Sequence, residues 1–569
     1  MMHAPGNPPP AQGPVSPEWP QAILDRIHRV FEYHQTTKVT YENCRQRPAP
    51  GAKSPPVFRT FDSAEKVALP TNLIAADAAT ISLILDGRSS LPESQLDPPH
   101  NLRTLATWLF YADGVLGRQT EQRQVTWLRT LWSNGETYPC EIYVAAFAIE
   151  GLNPGLYYYS PREFVLRRLR DGLGVLSHLK RGRPDLEFLK SVPVALLVST
   201  VFSRSTWLFH KRGYRTALLD AGHTIENLIQ AGTALGMQTQ ARLRMNDATT
   251  RELIGVPANV SFDDAESVQA MVVWSDPTPK PVTAPPGAAG PMPPIARPAH
   301  QFPVTPYDTI IATHEDCVAP GVAIREIRPP LTDLSPLAPN IPAYERPPVD
   351  EPRGGRPLGP MLMKRPPALK AFARKAIPRD PFLAISRLAF RRSSYYPLVA
   401  DAAHVALVRP LWILHDVLGM DSGVWYYHPQ SDRWSMLGRG NFRVETAYLS
   451  REQALAGDAA AVCVMIANVH LLLQQAGPDT YRLAHLEAGI AAQRMQLLAE
   501  AQNLAAIGNT SFYDDELRKF FGLEHGGWEI IYQVLVGEPF DPGADQILKL
   551  TDAIDDDKSD EEEEDDWRD

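Results

Sequence analysis

Cysteine is scarce in this 569-residue chain, and Cys44, Cys140, Cys317 and Cys463 stand far apart with no pair at short spacing. That pattern excludes a disulfide framework and a zinc site built on paired thiolates, and no metal is expected. No apolar run approaches the roughly 20 residues that a membrane-crossing helix needs. The opening MMHAPGNPPP has neither the basic head nor the apolar stretch of a secretory signal, so a cytoplasmic protein with no membrane partner is expected. A basic face interleaved with aromatics is missing too, which leaves nucleic acid out of the expected partners. Also absent is the glycine-rich fingerprint of a dedicated dinucleotide site.

What the chain has in excess is proline: 53 residues, crowded into a few stretches that read as connections between folded parts. The apolar fraction of 44% and charged fraction of 21% are those of soluble globular protein. The length exceeds what one hydrophobic core supports, so two domains are expected. The boundaries read as a polar N-terminus over 1–20, a first domain over 21–275, a proline-rich linker over 276–369, a second domain over 370–545 and an acidic tail over 546–569. Much of the formal net charge of −10 sits in DDDKSDEEEEDDWRD at 555–569. Such a block repels itself and cannot pack, so it reads as a solvated tail or an anionic arm for a basic partner.

Order begins at AILDRIHRVFEYH, where Ile23, Leu24, Ile27, Val30 and Phe31 form a helical stripe. SVPVALLVST (191–200) is a strand, and 213–236 is a long helix, apolar over a broad arc through Leu218, Gly222, Ile225 and Ile229. The second ordered block repeats the first at a fixed offset, the signature of duplication. VALLVST (194–200) matches AVCVMIA (461–467), and Tyr214-Arg215 followed by Leu219-Asp220-Ala221-Gly222 matches Tyr481-Arg482 followed by Leu486-Glu487-Ala488-Gly489, all at 267 residues. Asp247 and Gly255 match Asp514 and Gly522 at the same offset, and GLYYYSP (155–161) matches GVWYYHP (423–429) at 268.

Each block opens with an arginine-serine cluster at the end of an apolar helical run: LILDGRSS (83–90) with Arg88 and Ser89, and LAFRRSS (388–394) with Arg391, Arg392 and Ser393. Guanidinium forks and hydroxyls suit a phosphate, and equally a basic helix end complementing its own dipole. In RTLWSNGETYPCEIYV (129–144), Ser133 and Gly135 sit in a turn that lets backbone approach a planar ligand, or in an ordinary loop.

These residues together resemble the nitroreductase superfamily, and within it the SagB/ThcOx-type dehydrogenases that turn azolines into azoles during ribosomal peptide modification. The Pro-Ser-x-Gly-x-x-Tyr-Pro-x-Glu signature appears as Trp132-Ser133-Asn134-Gly135-Glu136-Thr137-Tyr138-Pro139-Cys140-Glu141, with one position changed. The helix Arg-Gly-Tyr-Arg…Leu-Asp-Ala-Gly-His (212–223) also matches, and the likeness covers most of the first block. The resemblance implies an α+β, nitroreductase-like fold in two tandem copies that form an intramolecular pseudo-dimer, with FMN between them. It implies further that Arg88, Ser89, Arg391, Arg392 and Ser393 hold the phosphate, that Ser133 and Gly135 line the flavin, and that Arg215 supports the site by charge. A linker of about 90 residues easily spans one domain.

Neither copy is complete. The first has Gly87-Arg88 where the second has Arg391-Arg392, and the second lacks the Ser-x-Gly loop between Ser394 and Arg409. Leu208-Phe209 stand where the resembling dehydrogenases carry a Lys-Tyr pair, and neither side chain exchanges a proton. Lys211, His210 and Tyr214 are the nearby candidates for the base, each with an alternative as surface charge, turn residue or packed ring. Three functions fit: an FMN-dependent dehydrogenase of an azoline peptide or related substrate with partner enzymes of a peptide-modification pathway; a degenerate pseudo-dimer that binds a peptide or partner as a scaffold; or an NAD(P)H-dependent nitro or flavin reductase. A homodimer of the pseudo-dimer is compatible with each.

Overall fold

The computed structural model describes residues 19–45, 54–89, 98–121, 124–257, 260–275, 292–297, 305–318, 352–364, 371–391, 406–429 and 431–540. Arg392, Ser393, nearly all of the N-terminal segment 1–20 and the acidic tail lie outside the described residues.

The first half carries β1 (Glu65–Ala68), a ribbon of β2 (Val115–Glu121) and β3 (Gln124–Arg129), then β4 (Cys140–Ala146), β5 (Gly155–Ser160), β6 (Val165–Asp171), β7 (Val194–Val201), β8 (Gln238–Arg242) and β9 (Glu266–Ser275). The second half carries β10 (Arg409–Leu414), β11 (Gly423–His428), β12 (Arg433–Arg439), β13 (Ala461–Asn468), β14 (Ala505–Asn509) and β15 (Trp528–Gly537). The first sheet runs β1-β6-β5-β4-β7-β9-β8 and the second β12-β11-β10-β13-β15-β14. Apart from the added edge strand β1, the two orders are the same under the sequence offset. The irregularities repeat as well. Register shifts at Val198/Ser199 in β7 and Met465/Ile466 in β13, and at Leu156/Tyr157 in β5 and Val424/Trp425 in β11, fall at corresponding residues. A bulge bends its strand locally, so its recurrence at the same place marks one topology used twice.

The alternation of each central strand explains how the halves join. Ile142 and Val144 of β4 and Leu196 and Val198 of β7 face a core that also holds Cys463 and Met465 of β13. Tyr143, Ala145 and Leu197 face a separate cluster outside the first sheet, and Val462, Val464 and Ile466 face one outside the second. Between the sheets lie the helices Gly213–Ala234 and Asp479–Glu500. They cross at Gly222 and Gly489, which correspond at the 267-residue offset. A Cβ on Gly222 would strike the Leu486 carbonyl oxygen and come within 2.8 Å of Gly489 Cα, and one on Gly489 would strike the Leu219 carbonyl oxygen. Only glycine allows this approach, so the pseudo-twofold axis passes through a glycine pair.

Two expectations need correction. The segment 276–369 is not only a spacer: it contains the helices Asp308–Val318 and Leu358–Met363. DTIIATHEDCV has no proline to interrupt it, and it docks by the ion pair Arg29–Asp316 (2.7 Å) and by His314 Nδ1, 3.0 Å from the Tyr214 hydroxyl. Arg297 anchors another piece of the segment through Glu266 (2.5 Å). The N-terminal helix Gln21–Thr36 and the residues after it also reach into the second half. Trp19 Nε1 donates to the Gln474 carbonyl (2.6 Å), Lys38 pairs with Glu529 (2.8 Å) and Val39 N–H donates to Asp514 (2.9 Å). In that helix Ile23, Ile27 and Val30 are buried as the stripe predicts, whereas Leu24 is exposed.

Candidate functional site

The chain between β3 and β4 makes a strained loop. Gly135, Glu136 and Tyr138 take φ of 61°, 54° and 41°, all left-handed. Such a conformation costs a non-glycine residue about 1–3 kcal/mol and persists only when the surroundings impose it. Asp220, on the central helix of the first half, imposes it here. Ser133 Oγ–H donates to Asp220 Oδ2 (2.6 Å), and the backbone N–H and side-chain amide of Asn134 donate to Oδ1 (3.1 and 2.5 Å). The Ser133 hydroxyl in turn accepts from Tyr138 N–H (2.8 Å). Asp220 is buried with no cation bonded to it among the described residues, and burial pushes its carboxyl up to about 7 against the pull of Ser133 and Asn134.

The far end of the loop is held by charge. Arg204 donates to the Tyr138 carbonyl (2.8 Å) and pairs with Glu141, which also accepts from the Tyr158 hydroxyl (2.9 Å). Arg129 pairs with Asp113 and lies 4.6 Å from the Tyr138 ring centroid. Burial pushes the Asp113 carboxyl up to about 7 despite this partner. From the second half, the Tyr532 hydroxyl donates to Asn134 Oδ1 (2.9 Å), and His223 Nε2 lies 3.1 Å from the same hydroxyl. The loop is therefore fixed by both halves.

In the second half the counterpart of Asp220 is Glu487, which accepts from the N–H groups of Leu407 and Val408 (2.9 and 3.2 Å) just before β10. Both copies use an acid on the central helix to hold the chain entering the equivalent strand. Only the first copy has the Ser-x-Gly loop there.

Above the loop opens a cleft of about 350 Å³ between residues 127–138 of the first half and Gln453, Leu455, Ile507–Asn509 and Leu535 of the second. That volume is at the lower end of ordinary small-molecule sites. Trp127, Trp132 and Tyr138 give it aromatic walls. A smaller cavity of about 200 Å³ lies on the other side of the same loop, bounded by residues 54–57, Arg204 and Trp207.

Of the residues predicted from sequence, Ser133 and Gly135 line the cleft. The Ser133 hydroxyl, however, is turned inward and spent on Asp220 and Tyr138. At Gly135 a Cβ would strike Leu208 Cδ2 and come within 3.1 Å of Phe209 Cζ, so Leu208-Phe209 pack directly on the loop. The other candidates are not brought to the cleft lining. Arg88 is exposed and Ser89 buried just beyond the helix Thr80–Asp86. Arg391 is exposed just beyond the helix Arg379–Ala389, its carbonyl accepting from Arg494 (2.7 Å), which pairs with Glu226 (2.8 Å).

Arg215 is buried at the junction of the halves, donating to Asp514 (3.2 Å) and to the Ile530 carbonyl of β15 (2.9 Å). Its counterpart Arg482 donates to the Gln269 carbonyl of β9 (2.9 Å). The matching arginines thus clasp opposite sheets. Lys211 is exposed and its carbonyl accepts from the Tyr33 hydroxyl. His210 takes φ 50° with Nδ1 3.2 Å from the Tyr307 hydroxyl. Tyr214 is fully buried against His314, and burial holds its phenol well above the usual range. The turn that carries these three faces the N-terminal helix and the docked 305–318 segment. Sequence reasoning passed over Asp220, Tyr532 and Glu136; the repeat of Asp220 as Glu487 was the available signal for the first.

The fold is a nitroreductase fold, present twice. Residues 129–273 and 423–538 match the nitroreductase family. A putative nitroreductase of Methanocaldococcus jannaschii is 32% identical over 162 residues, which cover 28% of this chain and 76% of that protein. The chain belongs to the nitroreductase family. Among solved structures, a putative nitroreductase from Anabaena variabilis superposes with a TM-score of 0.66 at 22% identity, covering 90% of this chain and 99% of that one. The microcin synthetase complex of E. coli gives a TM-score of 0.28 at 16% identity over 45% of this chain and 94% of that one, too slight a likeness to bear on substrate. Among the described residues no helix is long and apolar enough to cross a membrane, and no group of three metal-ligating side chains occurs.

Proposed function

We propose that this nitroreductase-family protein is an FMN-dependent oxidoreductase that holds one flavin per chain in the cleft between its halves. The observation that carries the reading is the loop at Ser133–Tyr138, present in one copy only, held by both halves and opening onto an aromatic-walled cleft. Gly135 lines the cleft and stays exposed there, although Leu208 and Phe209 pack on the face where a Cβ would stand, so a planar ring system would approach its backbone from the open side. The cleft volume is that of a site which encloses part of a ligand, and the phosphate would be neutralised by guanidinium groups, for which Arg391 and Arg392, with Ser393, are the proposed partners. Bound FMN would supply hydride transfer. The chain's own residues orient it: Asp220 and Tyr532 fix the loop, and Trp127 and Trp132 exclude water from the cleft.

The substrate class proposed is an azoline-containing peptide or a related carbon acid, in line with the signature at 132–141 and the helix at 212–223. Partner enzymes of a peptide-modification pathway would deliver it, and the paired halves supply the dimer interface within one chain. A second reading, a scaffold that has lost flavin chemistry, is favoured by one observation: Leu208 and Phe209 cover Gly135 with groups that cannot exchange a proton. Flavin released from the purified chain by heat, and quantified by its visible absorption, separates the two. About one FMN per chain is expected, with most of it lost in the Arg391→Ala/Arg392→Ala variant; a colourless protein that fails to take up added FMN refutes the enzyme and leaves the scaffold.

A further inference from the structure

Most charged groups around the loop are already committed. Arg129 is locked to Asp113, and Arg204 to Glu141 and the Tyr138 carbonyl. The Tyr138 hydroxyl donates to the Trp127 carbonyl (2.9 Å), and Asp220 lies beneath the loop with both oxygens engaged. Glu136 differs from all of these. It lines both the cleft and the smaller cavity behind it, and it is half-buried. Its carboxylate makes no hydrogen bond or ion pair among the described residues. It also sits at φ 54°, a conformation that glycine takes freely and glutamate does not. A strained, uncommitted carboxylate between two cavities is a poor structural choice and a suitable chemical one. Its neighbour Gly135 carries the contacts to Leu208 and Phe209, the pair that replaces exchangeable groups with inert ones.

We propose that Glu136 is the proton acceptor of the site, a role that rests on the flavin reading above. The substrate is a carbon acid whose C–H bond is weakened by an adjacent carbonyl. In the step, that C–H bond breaks and its proton passes to a Glu136 carboxylate oxygen. The C–H bond of the neighbouring carbon breaks with loss of hydride to the oxidised flavin, the electron acceptor. The electron pair left by the departing proton becomes the second bond of a new carbon–carbon double bond. The geometry offers the acid from the loop side of the cavity, so the loss of exchangeable groups at Leu208 and Phe209 is made good by a residue adjacent to the glycine they cover.

Hydrogen exchange tests the proton step apart from net oxidation. The flavin-loaded full chain is reduced photochemically under argon, which blocks hydride uptake, and is incubated in D2O with a synthetic thiazoline-4-carboxamide; deuterium at the ring carbon bearing the carboxamide is read by mass spectrometry. Wild type should exchange well above a protein-free control. Glu136→Gln should slow exchange by about 10²–10⁴-fold, the usual contribution of a positioned general base, with flavin content unchanged. Glu136→Gly adopts the left-handed backbone without strain, so its folding is secure, and it should show the same loss. Exchange as fast in either variant as in wild type overturns the assignment, and so does flavin-loaded wild type that exchanges no faster than buffer. A wild type that binds no flavin removes the functional reading itself, which is a separate result from either.

Discussion

Replacing Asp220 by asparagine isolates the cost of keeping a carboxyl beneath the loop. In the folded protein burial holds this group at about 7, whereas an aspartate in an unfolded chain titrates near 3.9. Between those values the folded state retains a proton that the unfolded chain has released. Stability therefore falls as pH rises from about 4 to about 7 and levels off above that. A shift of roughly three units at 1.36 kcal/mol each amounts to about 4 kcal/mol. Asparagine does not titrate, so the variant escapes this penalty. It still accepts from Asn134, but the Ser133 hydroxyl loses its acceptor, at a cost of about 1–3 kcal/mol. The two effects oppose each other, and pH decides which prevails. At pH 8 the Asp220→Asn variant should be more stable than wild type by about 1–3 kcal/mol. At pH 4.5, where about 1 kcal/mol of the penalty is already present, it should be less stable, by up to about 2 kcal/mol. Urea unfolding followed by tryptophan fluorescence at both pH values, comparing midpoints, reads the crossover. A difference between variant and wild type that stays the same at both pH values would show that Asp220 does not carry the proton, and the account of the loop anchor would fail.

Three further outcomes are expected. Gly135→Ala places a Cβ against Leu208 at a left-handed position, so flavin content should fall to a small fraction of wild type while the far-UV circular dichroism is retained; normal flavin content would show that the cofactor does not depend on this turn. Gly489→Val forces the crossed helices apart at their closest point, and a loss of several kcal/mol or failure to accumulate folded protein is expected in thermal denaturation; tolerance of valine would contradict the close crossing. Arg297→Ala leaves the buried Glu266, now held down at about 2 by Arg59 and Arg297 against burial, with one guanidinium fewer. About 3–5 kcal/mol should be lost at neutral pH, where that carboxylate is charged in both states, and less as pH falls through the acid range; an unchanged urea midpoint at pH 7 would mean the 292–297 segment is not docked.

The duplication was legible because a constant offset survives divergence: Tyr214-Arg215 and Tyr481-Arg482 keep their places even though the side chains around them have changed. The strands at 194–200 and 461–467 were paired by that match, whereas the sheet order and the bulges became visible only in the structure, where they repeat at the same offset. The docked helix Asp308–Val318 was hidden by composition, since eleven residues without proline lie inside a long proline-rich stretch and their burial depends on partners that only tertiary structure supplies. Ser133 and Gly135, which line the cleft, were picked out because a glycine turn leaves a local trace. Arg215 was picked out by its motif, but a motif does not show which way an arginine points, and this one points at Asp514. Glu136 left no trace at all, because strain and a missing partner are properties of the fold.

The glycine crossing places Glu226 opposite Arg494, and Asn227 opposite Gln493 (3.1 Å). Under the offset, Glu226 answers to Gln493 and Asn227 to Arg494. A dimer of identical chains would have to repeat the same contact on both sides of its axis. Here one side has become a charged pair and the other an amide pair, a divergence open only to protomers that can never exchange mates. Covalent fusion thus frees each half to specialise: one can keep the Ser-x-Gly loop while the other surrenders it and serves as the opposing wall.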